Sequence, residues 1–270
     1  MRPRHRWFIV ENAPDSDVQG PSRVPPSLLA STIESALATR RAHPHWPIPA
    51  HVFFDAVLPY ATLSEPREYE WDWRAKLAPF MQGLIDQYAP ARANLSQVIE
   101  LLNARAWTFT TPAIKFQASD ANRVNAYSVR QVVEHKVSSC TGESIFLVAA
   151  LRSVGVPARV AGVPHWQKGS TLCPDGDASA QCGNHNWVEA WTGREWAFVD
   201  QNSGVPGLDR AFFFPAQTDQ LQGDVQHAVY ASSWSTAAPT TFPLVFDASA
   251  HVPAFDRTKW YQARGRRGGS

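Results

Sequence analysis

The spacing of apolar residues divides the chain into three stretches of different character. Over 26–42, Leu29, Ile33 and Leu37 recur every four residues and predict a helix, which the prolines of HPHWPIP stop and turn into an extended connection. The next run, FFDAVLPYATLSEPR, is apolar but broken by Pro59 and Pro66. Residues 73–88 set Trp73, Leu77, Phe80, Met81, Leu84 and Ile85 on one helical face, and 95–105 repeat the pattern with Val98, Ile99, Leu101 and Leu102. The first third is therefore predicted to be mainly helical.

The middle third changes period. A short helix is predicted from a Ser128 cap, and a second from Thr141 that is apolar nearly all round through Ile145, Phe146, Leu147, Val148 and Leu151, the signature of a core helix. Gly155 and Pro157 end it, and ARVAGV reads as a strand. Beyond a polar loop, NWVEAW and EWAFVD flank the turn-like Thr192-Gly193 and predict an antiparallel hairpin. After residue 205 only FPLVF is notably apolar and no period persists, while the Gly-rich end with Arg264, Arg266 and Arg267 reads as a solvated, flexible tail. The expected organisation is a mainly helical region over 1–106, a core of helices and strands over 107–215 and an irregular wrap and tail over 216–270, packed as one unit.

At 270 residues, 44% of them hydrophobic, the chain can bury a sizeable core. A formal charge of +1 without runs of one sign gives no footprint for nucleic acid or an anionic membrane. No stretch approaches the roughly 18 to 20 apolar residues of a membrane span, and the start lacks an apolar signal region, so a soluble, cytoplasmic protein is expected unless the true beginning is missing. Cys173 and Cys182 could form a disulfide or remain thiols. No CxxC, HxxxH or DxDxDG pattern accompanies them, so no metal or cofactor is expected. Nothing in the sequence speaks to oligomeric state.

Cys140 differs from the other two in context. It precedes the buried helix, where unpaired N–H groups and the positive end of the dipole favour a thiolate. Gly142 would let the backbone approach a substrate closely, whereas Glu143 would oppose the thiolate if it lay near. His185 opens one strand of the hairpin and Asp200 ends the other, so an imidazole and a carboxylate can touch beside the thiol in the order nucleophile, base and orienting group.

SSCTGESIFLVAALRSVGVPARVAG followed by NHNWVEAW and EWAFVD resembles the transglutaminase-like superfamily core, over about residues 128–205. More loosely, FIVENAPDSD, VLPYATLSEPR and the WR that follows resemble an N-terminal region of some large bacterial transglutaminase-domain proteins. The resemblance implies an α+β, papain-like fold with the catalytic Cys at a helix N-terminus packed on an antiparallel sheet. It also implies a Cys140–His185–Asp200 triad working through a thioester on a peptide or protein substrate. Hydrolysis of an amide is the first expectation, protein-glutamine crosslinking the second, and a catalytically silent binding module the rival from another class. By the same resemblance Trp107 is a candidate oxyanion donor, with a core or surface-anchoring Trp as the alternative. Tyr60, Trp166 and His165 are candidates for the cleft, and Arg159 and Glu189 for structural contacts.

Overall fold

The computed structural model describes residues 8–14, 17, 23–118, 127–175 and 182–268. Parts of FIVENAPDSD and of the loop between Cys173 and Cys182 lie outside the described residues.

The predicted helices form where caps and periodicity coincide. Helix α1 spans Pro26–Ala42, its proline-rich start needing no backbone donor, and buries Leu29, Ile33 and Ala36. The stretch read as an extended connection and broken apolar run holds a second helix, α2 (Ala50–Ala56), entered from Pro49. Its seven residues are too few to show a helical period. Helix α3 (Trp73–Tyr88) is capped by the Asp72 carboxylate, which accepts from the N–H groups of Arg74 and Ala75. Helices α4 (Leu95–Arg105) and α5 (Val129–His135) each begin with a reciprocal capping box, Asn94 with Gln97 and Ser128 with Gln131.

Short strands β1 (Lys115–Phe116) and β2 (Val137–Ser138) pair in parallel and lead into α6 (Cys140–Ser153), which starts at Cys140 rather than Thr141. From Thr141 to Ser153 every residue of α6 is buried, with Phe146, Leu147 and Leu151 at 0% exposure. Burying a side chain of that size stabilises by about 1.5–3 kcal/mol. Gly155 ends the helix at φ 89°, and a Cβ there would meet Thr39 Oγ1 at 2.6 Å, so both conformation and space require glycine.

A six-stranded antiparallel sheet follows. Its strands are β3 (Ala158–Val163), β4 (His185–Trp191), β5 (Trp196–Val199), β6 (Tyr230–Ser232), β7 (Thr240–Phe242) and β8 (Val252–Asp256), in the order β5-β4-β3-β6-β8-β7. A one-turn helix, α7 (Ala216–Asp219), precedes β6, and α8 (Thr258–Gly268) closes the chain. Half of the sheet thus comes from the stretch read as an irregular wrap, because strands of three to five residues are shorter than the window in which alternation can be recognised. The end read as a tail is helical, and Arg264 anchors it by pairing with Asp209 at 2.5 Å and Glu195 at 3.0 Å.

The two faces of the sheet pack differently. Val160, Val188 and Ala190 join the side chains of α3, α4 and α6 in one core. Val163, Trp187 and Phe198 face the other way and pack with Trp166, Phe213 and Tyr261. Helix and antiparallel sheet make the fold α+β, as the sequence predicts.

Candidate active site

The site forms where the start of α6 meets the ends of β4 and β5. Cys140 opens the helix, so the unpaired N–H groups of the first turn and the dipole favour a thiolate. His185 is the first residue of β4, and Asp200 directly follows β5, which pairs with β4 from Val188 opposite Val199. The His185 Nε2 and Asp200 Oδ1 atoms are 2.9 Å apart, with the carboxylate buried. The imidazole also hydrogen-bonds the Cys140 side chain, which leaves Nδ1 for that contact. The three groups sequence reasoning selected therefore line up as thiol, imidazole and carboxylate.

Burial works against charge on both titrating partners. At His185 it is outweighed by the hydrogen bonds to Asp200 and Cys140 and by their negative charge, which hold the pKa at about 9. At Cys140 burial pushes the thiol up, but the hydrogen bond and charge of His185 bring the net value below the ordinary thiol pKa. Both shifts favour a thiolate–imidazolium pair.

Consecutive side chains after β5 tie the site together. Gln201 Nε2 donates to the carbonyls of Cys140 at 3.1 Å and Asn186 at 2.9 Å, joining the helix start to β4. Asn202, in the left-handed region at φ 53°, donates from Nδ2 to Glu143 Oε1 at 2.6 Å and to the Ile114 carbonyl at 3.3 Å. Asn186 Nδ2 donates to Thr141 Oγ1 at 2.6 Å. Its side chain occupies the space left by Gly162 opposite it on β3, where a Cβ would collide with Asn186 Oδ1 and the His185 carbonyl. Behind the imidazole, the rings of Trp187, Phe212 and Phe213 lie 5.1–5.9 Å from it. Gln201 and Asn202 escaped sequence reasoning, although a polar pair directly after an apolar strand and its terminal Asp is a readable signal.

Glu143 does lie close to the nucleophile. Burial raises its pKa to about 8, with the charges of Cys140 and Asp200 acting in the same direction against the Asn202 hydrogen bond. The raised pKa lowers the negative charge that Glu143 carries near neutral pH and so weakens the opposition to the thiolate expected from the sequence. Cys140, His185, Asp200 and Glu143 share a cleft of about 740 Å³, with Phe116 and Phe212 on its walls. Those two rings are 56% and 57% exposed.

Residues 89–201 match the family model described as the transglutaminase-like superfamily. The chain carries a transglutaminase-like core. The solved structures similar to the chain include the following two. One is described as the crystal structure of a TGase, 12% identical over 52% of this chain and 34% of its own, with a TM-score of 0.34. The other is red sea bream transglutaminase, 12% identical over 87% of this chain and 46% of its own, with a TM-score of 0.42. The chain therefore spans about a third of the first and less than half of the second. No curated protein matches the sequence.

The other candidate residues are placed as follows. Gly142 is buried in the first turn of α6. Trp107 is not at the cleft: its indole N–H donates to the Asn103 carbonyl at 2.6 Å, and its ring packs on Phe146. Tyr60 is also elsewhere, its hydroxyl donating to Asp17 Oδ2 at 2.9 Å. Trp166 packs against Phe213 in the core on the far face of the sheet. His165 Nδ1 lies 2.7 Å from the Cys182 carbonyl. All four are aromatic residues whose composition suits either a cleft or a core, and packing decided for the core or a local contact. Cys173 and Cys182 are joined as a disulfide with Cα atoms 5.6 Å apart. Among the described residues no group of three or more His, Cys, Asp or Glu side chains is placed to hold a metal ion, and no helix is long and apolar enough to cross a membrane.

Proposed function

We propose that the protein is a cysteine-dependent acyl-transfer enzyme that hydrolyses amide bonds of a peptide or protein through a thioester on Cys140. The observation that carries this reading is the alignment of Cys140, His185 and Asp200 at the start of a buried helix, with Asp200 Oδ1 at 2.9 Å from His185 Nε2. The Cys140 thiolate attacks the amide carbonyl, and the His185 imidazolium gives its proton to the departing amine. The imidazole then takes a proton from water as the water attacks the thioester, and collapse of the adduct breaks the C–S bond, releasing the acid and restoring the thiolate–imidazolium pair. Asp200 fixes the ring orientation and favours the imidazolium throughout.

Hydrolysis is preferred over transfer because of the charge available in the cleft. Asp200 holds His185 through Oδ1 and burial raises the Glu143 pKa to about 8, so neither carboxyl is set out as a strong partner for a cationic lysine acceptor. Water needs none. The test is incubation with a peptide library, with and without a primary amine, read by mass. Shortened or deamidated peptides are expected with the wild type in both conditions and none with Cys140→Ala. Equal turnover by Cys140→Ala would overturn the assignment, and products formed only with the amine would make the enzyme a transferase.

A further inference from the structure

An attack by Cys140 on a carbonyl carbon pushes the π electrons onto the carbonyl oxygen, and that oxyanion needs hydrogen-bond donors. The Cys140 N–H at the helix start is one. The indole N–H expected to be a second, that of Trp107, is bonded to Asn103.

Three buried polar atoms that make no hydrogen bond among the described residues belong to residues of this cleft: Ser139 Oγ, Asp200 Oδ2 and Gln201 Oε1. Two are acceptors and cannot serve an oxyanion. Gln201 has no freedom to turn its amine there, since Nε2 already donates to two carbonyls and so fixes which end of the amide is which. Only Ser139 brings a hydrogen to donate.

Its position is unusual. Ser139 is the N-cap of α6, a place where serine ordinarily accepts from an N–H of the first turn, yet its side chain makes no such bond. Its carbonyl takes part in the helix in the usual way, accepting from the Glu143 N–H at 2.9 Å, while its hydroxyl does not. Ser139 is only 8% exposed. A buried hydroxyl without a partner among the described residues, on a residue that lines the cleft and directly precedes the nucleophile, calls for an explanation.

We propose that Ser139 is a further catalytic residue, its hydroxyl donating a hydrogen bond to the oxyanion that forms when the Cys140 thiolate adds to the acyl carbonyl. The hydroxyl proton stays on Ser139. When the tetrahedral adduct collapses, the C=O re-forms, the carbon–leaving-group bond breaks, and the leaving group carries off the proton of His185. This role rests on the Cys140 nucleophile proposed above.

The test compares two reactions of the same thiol in the full chain. Acylation by p-nitrophenyl acetate passes through an oxyanion, whereas alkylation by iodoacetamide does not. Ser139→Ala is expected to slow acylation of Cys140 by roughly 10²-fold, the loss typical of one oxyanion donor, with alkylation within about twofold of wild type. Ser139→Thr, which keeps the hydroxyl, should recover most of the rate. Ser139→Gly, a residue well tolerated at an N-cap, should match Ser139→Ala and serves where the alanine variant does not fold. Acylation at the wild-type rate in the folded variants, or acylation and alkylation falling together, would overturn the role of Ser139 alone. Wild-type protein that Cys140→Ala matches in acylation would instead overturn the nucleophile, and this inference with it.

Discussion

Glu143 shows how one buried side chain couples the site to stability. Its pKa is raised from 4.5 to about 8 by burial, with Cys140 and Asp200 adding to the shift. Unfolding lets the carboxyl ionise at its ordinary value, so whatever stability the neutral group contributes is present below pH 4.5 and is lost as pH rises through about 8. Glu143→Gln keeps an oxygen for Asn202 and removes the titration. Urea unfolding at pH 5 and pH 8 should therefore show the variant gaining on the wild type at the higher pH. A difference independent of pH would mean that the carboxyl is not held neutral.

At the scale of elements, Glu189 fastens three strands on the face of the sheet away from α6. From β4 it accepts from Arg159 of β3, Nε at 3.0 Å and Nη2 at 2.7 Å, and from Arg257 just beyond β8 at 3.1 Å. Burial opposes the carboxylate, but the two guanidinium groups outweigh it and hold its pKa below the ordinary value. Its contribution is thus present above pH 4.5 and fades as pH falls through the depressed folded-state value. Glu189→Ala leaves both cations unpaired in a mostly buried site, and unfolding at pH 7 should show a loss of about 3–5 kcal/mol. A loss below about 1 kcal/mol would place the two arginines in contact with water. The pairing is invisible in sequence, because Arg159 and Glu189 come opposite each other only through the β3–β4 register. Elements with local signals were legible: α3 to α5 carry side-chain caps and a helical period, and α6 is unbroken apolar sequence. Strands β6 to β8 were not, since a three-residue strand such as Tyr230–Ser232 is fixed by its neighbours rather than by its own pattern.

For the whole molecule, the site depends on bringing two distant stretches of chain together. Helix α6 supplies Cys140, the β4–β5 hairpin supplies His185 and Asp200, and Gln201 and Asn202 bind the two stretches together through the Cys140 carbonyl and Glu143. The thiol, imidazole and carboxylate were legible because helix start and hairpin ends are local features that place them. For Trp107 and Tyr60 the sequence left a structural role open beside one at the cleft, because an aromatic ring suits a core as well as a wall, and the packed chain decides for the structural role. The central claim, that Cys140 is the residue that carries the acyl group, is tested most directly by intact-mass analysis after brief exposure to p-nitrophenyl acetate. Wild type should gain one acetyl group, located on Cys140 by peptide mapping and removed by hydroxylamine, and Cys140→Ala should gain none at that site. An acetyl group found on another residue with Cys140 left free would contradict the account.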